Sequence, residues 1–158
     1  MTTFNTPNPD FAARIRESFS RQPFMEHIGA EISLLEPGAV DIAVSREVSL
    51  TQQHGFFHGG VVGTLADNAS AYAAFTLAPA SASVLTVEFK VSFLSPADGD
   101  GLLARGRVIK PGRNLVVCQS DVFGLRGDEE KLVATGLVTI MVLQGRDDAP
   151  APAKIQSA

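Results

Sequence analysis

Between His58 and Phe75 the chain is built almost wholly from glycine, alanine, valine and other small or apolar side chains, with one carboxylate, Asp67, in the middle. Gly60, Gly63, Thr64, Asp67, Ser70 and Ala71 recur at steps of three and four, which places them along one side of a helix. Val61, Val62, Leu65 and Tyr72 fill much of the remainder. Such a helix is too apolar for a surface, so a sheet must wrap it. Its small side permits close approach by a second backbone or a ligand. Asp67 lies on that side about two turns beyond the glycine pair. A buried, unpaired carboxylate costs several kcal/mol, so this one must be paired, neutralised or used. Gly59 and Gly60 open the helix, where first-turn amides are free to bind a ligand oxygen.

The flanking segments supply that sheet. Asn8 to Phe24 reads as a helical stretch: Asn8 can cap, Pro9 suits the first helical position, and Phe11, Ile15 and Phe19 recur every four residues ahead of a stop at Pro23. Two short strands follow, Ala30 to Leu35 and Val40 to Ser45, joined by a Glu36-Pro37-Gly38 turn. After the polar loop Ser49 to Phe57 and the central helix, long strands are predicted over Val84–Leu94, Leu102–Ile109, Leu115–Phe123 and Leu132–Leu143. The pattern is an α+β plan, an antiparallel sheet packed on one long helix. It divides into a helical segment over 1–27, a main domain over 28–143, and a polar tail over 144–158 with too little apolar content to order itself.

At 158 residues the chain is long enough to bury a core. A formal net charge of −4 argues against a general polyanion binder, so nucleic acid is not an expected partner. No segment approaches the roughly 20 apolar residues of a membrane span, and no basic, apolar leader opens the sequence, so the expected location is the cytoplasm. The single cysteine, Cys118, lies in an apolar strand and reads as a small core residue.

His58-Gly59-Gly60, Leu65-Ala66-Asp67 and Thr86-Val87-Glu88-Phe89-Lys90-Val91-Ser92-Phe93-Leu94-Ser95-Pro96, in this order of elements, resemble the hotdog-fold acyl-CoA thioesterases of the phenylacetate-degradation, or PaaI-like, group. The resemblance spans roughly Ile28 to Leu143. It implies a five- or six-stranded antiparallel sheet around one long helix, with at least a dimer, often a tetramer, and two sites at the subunit interface. It implies Asp67 as general base or nucleophile, a helix-start glycine amide, Gly60, polarising the thioester carbonyl, and His58 beside it. The family's substrate- or water-placing Asn falls on Gln52, a longer amide. Thr86 matches a Ser or Thr that supports the attacking water. In the Lys110-to-Asn114 turn, Gly112 and Arg113 match the segment near the CoA nucleotide.

The chemistry is consistent with those roles. Thioester hydrolysis develops negative charge on the carbonyl oxygen, and a fixed amide at a helix start stabilises such charge by roughly 3 to 4 kcal/mol. Gly59, Phe57 and Tyr72 are candidates to meet the substrate, the two aromatics as walls of an acyl pocket or as core. Structural readings stand beside these: Asp67 bonded to backbone amides, His58 holding its loop, Thr86 as a plain strand former, and Gln53 or His54 in place of Gln52. His54, His58 and Asp67 do not form a metal-ligand spacing, and no Gly-x-Ser-x-Gly elbow is present, so neither a metal nor a nucleophilic serine is expected. The expected activity is hydrolysis of an aromatic or medium-chain acyl-CoA to the acid and CoA, with CoA as part of the substrate and no separate cofactor. The alternative is a hotdog module that binds acyl-CoA or acyl carrier protein without turnover.

Overall fold

Alternation of β-branched and polar side chains after Ser83 produces four long strands, β3 (Ser83–Phe93), β4 (Gly101–Lys110), β5 (Leu115–Arg126) and β6 (Glu129–Leu143). With β1 (Ala30–Glu36) and β2 (Ala39–Ser45) they form one six-stranded sheet in the order β1-β2-β4-β5-β6-β3, every neighbouring pair antiparallel. The structure, a computed structural model, describes residues 4–149. Gly38 turns β1 into β2 at φ 77°, a conformation that glycine adopts without steric cost.

The small, apolar stretch forms the long helix α3 (Gly59–Phe75), and the sheet curls around it. Val62, Leu65, Ala66, Ala69 and Ala73 are fully buried against the sheet. The closest approach is at Gly106 on β4, where a Cβ would overlap the carbonyl of Ala69 and the amide of Ser70. Glycine is needed there because the backbones of strand and helix occupy the space of a side chain. Cys118 on β5 is also fully buried, and burial pushes its thiol up to about 12.

The first helical stretch departs from expectation. Helix α1 starts at Phe11 and ends at Ser20, and a separate short helix α2 (Pro23–His27) follows. Asn8 accepts from the amide of Asp10 at 3.1 Å through its side chain, in a turn that precedes the helix, so Pro9 lies outside it. Pro23 does not merely stop one helix; it opens another, its missing N–H costing nothing at a first turn. Ile15 and Met25 anchor α1 and α2 in the core.

The segments at both ends of the described residues fold back on this layer. The Thr6 hydroxyl donates to the carbonyl of Thr76 at 2.6 Å, closing the C-terminal end of α3. From the stretch expected to be a loose tail, residues 144–149 are described, and Asp148 accepts from Arg21 on its carboxylate at 2.7 Å and on its carbonyl at 2.6 Å. Residues 150–158 lie outside the described residues. Among the described residues no helix is long and apolar enough to cross a membrane.

The two sheet edges differ. β1 is short, shifts register between Ile32 and Leu34, and lies against α1 and α2. β3 is longer and leaves Leu85, Val87, Phe89 and Phe93 more than half exposed. Long, apolar free edges are templates for pairing with another chain.

Candidate active site

Asp67 sits midway along α3 on the side that the sheet leaves open. The Thr86 hydroxyl on β3 donates to Asp67 Oδ1 at 2.7 Å. Just beyond Thr86 the β3–β6 ladder shifts register, with Thr86 opposite Ile140 and Glu88 opposite Thr139. The intervening Val87 is an extra residue, and such bulges re-aim neighbouring side chains. Burial raises the Asp67 carboxyl above its ordinary value, and the Thr86 hydrogen bond pulls it part of the way back. A carboxylate moved towards neutral pH and held by one oxygen keeps its second oxygen for a proton transfer.

The helix start is exposed. His58 is its N-cap, with extended backbone at φ −64° and ψ 138°, and its Nδ1 accepts from the Gly60 amide at 2.9 Å. That bond requires the ring proton on Nε2. The His58 carbonyl accepts from Val61 at 2.9 Å and Val62 at 3.3 Å. Among the described residues the Gly59 amide has no acceptor, so it, and not the Gly60 amide expected from the sequence, is the free donor at this helix end.

Eight residues separate Gly59 from Asp67, about 12 Å along the axis at 1.5 Å per residue. An oxyanion donor and an attacking group must each come within about 3 Å of one reacting carbonyl. One copy of α3 therefore cannot bring both to the same thioester.

Two cavities meet at Asp67. One, of about 500 Å³, runs from Gly59 and Gly60 past Gly63 and Thr64 to Asp67 and is faced by Phe89 and Phe93. The other, of about 480 Å³, continues from Asp67 and Thr86 to Tyr72, Asn68 and the α1 side of the molecule. Tyr72, nearly buried, borders this second cavity. Phe57 is instead buried in the core, its amide donating to Ala97 at 2.8 Å, and lines neither cavity. Gln52 also lines neither; its side-chain oxygen accepts from the His54 amide, which folds the loop ahead of His58. Gly112 and Arg113 line a third cavity with Leu77 and Val142, separate from Asp67.

Sequence reasoning missed Asn68, Ser18 and Gln22, all on the second cavity. Asn68 was visible as the only other long polar side chain in the apolar helix, and Ser18 and Gln22 as a polar pair four residues apart. Among the described residues no cluster of three His, Cys, Asp or Glu side chains is placed to hold a metal ion.

A half-buried carboxylate, a hydroxyl that orients it and a free helix-start amide are parts suited to acyl transfer. Comparison with known proteins agrees at the level of the family. The sequence pattern described as Thioesterase superfamily matches residues 54–131. A thioesterase family protein of Silicibacter pomeroyi has a solved structure 47% identical in sequence, covering 85% of this chain and 99% of its own, with a TM-score of 0.84. A Saccharolobus solfataricus protein, provisionally named an esterase, is 33% identical over 66% of this chain and 69% of its own length. The E. coli PaaI protein from the phenylacetic acid degradation operon shares the fold at a TM-score of 0.79 and 20% identity, covering 90% of this chain and 99% of its own. The chain belongs to the thioesterase superfamily and has the hotdog fold, and its family implies an acyl-thioester substrate.

Proposed function

We propose that this protein is an acyl-CoA thioesterase of the phenylacetate-degradation type, hydrolysing an aromatic or medium-chain acyl-CoA to the free acid and CoA. The observation that carries the reading is the Thr86–Asp67 pair, a half-buried carboxylate held by one oxygen at the meeting point of two cavities. Asp67 takes a proton from water as that water attacks the thioester carbonyl. The oxyanion forms on the free Gly59 amide, reinforced by the helix dipole. Collapse of the tetrahedral adduct breaks the C–S bond, and the departing CoA thiolate takes up a proton. CoA is part of the substrate, and Arg113 with Gly112 is the proposed contact for its phosphates.

The roughly 12 Å between Gly59 and Asp67 along α3 supports a working unit of at least a dimer. A two-fold axis at the exposed β3 edge pairs β3 with its mate and reverses the direction of α3 in the second copy. The partner subunit's Gly59 then lies towards Asp67, and two equivalent sites result.

The rival reading, a module that binds acyl-CoA or acyl carrier protein without turnover, draws on Gln52, which is committed to its own loop and not to Asp67. Free-thiol release from aromatic and straight-chain acyl-CoAs separates the two. Release that falls at least about a hundredfold in Asp67→Ala supports the hydrolase. Binding without release from any thioester would shift the reading to the module.

A further inference from the structure

Two loops border the helix start that carries the free Gly59 amide. Residues 51–58 lead into it. On the other side β3 ends at Phe93, whose ring stands 3.3 Å from where a Cβ on Gly59 would lie, and the chain turns through 94–100 into β4. The loops meet directly where the Phe57 amide donates to the Ala97 carbonyl at 2.8 Å. One side chain fastens them further out. Arg46, the first residue after β2, donates through Nη1 to the Gly99 carbonyl at 3.0 Å and to Asp98 Oδ1 at 3.2 Å, and through Nη2 to the Gly55 carbonyl. Its guanidinium lies 5.6 Å from the centre of the Phe57 ring.

The two ends of this clamp are unequal. The 97–100 loop is fixed to β5: the Asp100 amide donates to the Leu125 carbonyl at 2.6 Å, and the Asp98 carbonyl occupies the space that a Cβ on Gly124 would need. Asp98 also accepts from Arg126 at 2.8 Å. The Gly99 amide, with the Arg126 and Arg46 guanidiniums, holds the Asp98 carboxyl below its ordinary value, so it stays charged. The 52–56 loop has no such footing. Among the described residues its other hydrogen bonds, from the Gln52 amide to Phe56, from the Gly55 amide to Gln52 and from the His54 amide to the Gln52 side chain, stay inside the loop. The two residues that offer their carbonyls to Arg46 are both glycines at positive φ, 85° at Gly55 and 128° at Gly99. Each loop thus turns a carbonyl towards one guanidinium through a backbone conformation that other residues rarely adopt.

As a prop for stability such a clamp would be weak, because the Arg46 and Asp98 side chains are 35% and 45% exposed and exposed ion pairs contribute little. Position is a separate matter, since misplacing a reacting group by about 1 Å can cost on the order of a hundredfold in rate. We infer that Arg46 is a positioning residue for the Gly59 amide: it ties the loop that delivers the helix start to the loop anchored on β5, and so fixes where that amide points. This rests on the thioesterase reading for the reaction, while the polarisation of a bound thioester carbonyl tests it without turnover.

Arg46→Met keeps an alkyl stem over Phe57 and removes the fork. It should lower kcat about tenfold to a hundredfold, with KM changed less than about twofold and the thermal midpoint nearly unchanged. Arg46→Lys keeps the charge but lacks the planar fork that spans both carbonyls, and should fall nearly as far. Asp98→Asn, which leaves both carbonyl bonds in place, should show the same change more weakly. Once Gly59→Pro has removed the amide, adding Arg46→Met should cost nothing further in kcat. The carbonyl stretch of an isotope-labelled acyl-CoA bound to Asp67→Asn should lie below its solution frequency and return towards it when Arg46→Met is added. A stretch unmoved by Arg46→Met, full activity in Arg46→Lys, or losses that simply add in the Gly59→Pro background would overturn the inference. A stretch that follows Arg46 in a protein releasing no thiol from any thioester would sustain it and overturn only the hydrolase reading.

Discussion

The two halves of α3 have nearly the same apolar composition and opposite surroundings. From Ala69 to Thr76 the helix is largely closed: Ser70, Ala73 and Thr76 are fully buried, Gly106 presses on its backbone, Thr6 seals its end, and among the described residues only Ala71, Tyr72 and Phe75 of this half reach the second cavity. From Gly59 to Asn68 only one side is packed; Gly59 and Gly60 are exposed, and Thr64, Asp67 and Asn68 look into cavities. The difference teaches that the closed half supplies the rigidity and the open half the chemistry. Perturbing the first should cost folding, and perturbing the second should cost activity.

The largest effect is expected where the helix is most tightly held. Gly106→Ala forces a methyl into the α3 backbone at Ala69 and Ser70, where no flexible group can yield, and should destabilise by about 3 kcal/mol or more, the upper end of overpacking. Chemical denaturation measures it, and an unchanged midpoint would mean that helix and strand are not locked there.

On the open half, Gly59→Pro removes one N–H and adds a ring whose Cβ meets the exposed Phe93 side chain at 3.3 Å, a contact that a small shift of that ring relieves. Proline suits the first position of a helix, and His58 already has the extended backbone that a residue before proline prefers. The expected result is a fall of about 10² to 10³ in kcat with the thermal midpoint nearly unchanged. Co-refolding Gly59→Pro with Asp67→Asn sharpens this further. If each site takes Gly59 from one subunit and Asp67 from the other, the mixture of two dead proteins should recover up to about a quarter of full activity. No recovery would place both groups in one subunit.

The smallest effect concerns Thr86. Its hydroxyl is the interaction that holds the Asp67 carboxyl down against burial. Thr86→Val should lower kcat/KM about tenfold, the worth of one hydrogen bond to a charged group. It should also move the acid limb of the pH profile to higher pH, because Asp67 acts in its ionised form. For stability the sign is the reverse of a salt-bridged carboxylate. The folded-state value is raised, so the contribution of Asp67 is present below its unfolded value of about 4 and is lost as pH rises through the folded value. Asp67→Asn is accordingly expected to unfold at a higher temperature than the unsubstituted protein at neutral pH and to show no such gain in acid.

The helix, its glycine entrance and Asp67 were legible because small, apolar composition at steps of three and four admits few other structures. Thr86 was legible only through the resemblance, since a threonine in a strand looks the same whether or not a carboxylate lies opposite. The split of the first helical stretch turned on Pro23, which stops one helix and starts another with equal ease. Which glycine amide stays free depended on a rotamer of His58, and that is a property of three-dimensional capping, not of spacing. Gln22 and Asn68 meet although they stand 46 positions apart in the sequence, a pairing that no local periodicity encodes.

Cys118 has a practical consequence. A disulfide reagent that reports released CoA is attacked by thiolates, and the only cysteine of this protein lies fully covered beneath α3 with its proton firmly held. The folded protein should therefore be silent to the reagent, so colour developed under native conditions counts product alone. The same sulfur becomes visible when sheet and helix part. One reagent can thus count turnovers while the chain is folded and, with substrate withheld, count unfolded molecules.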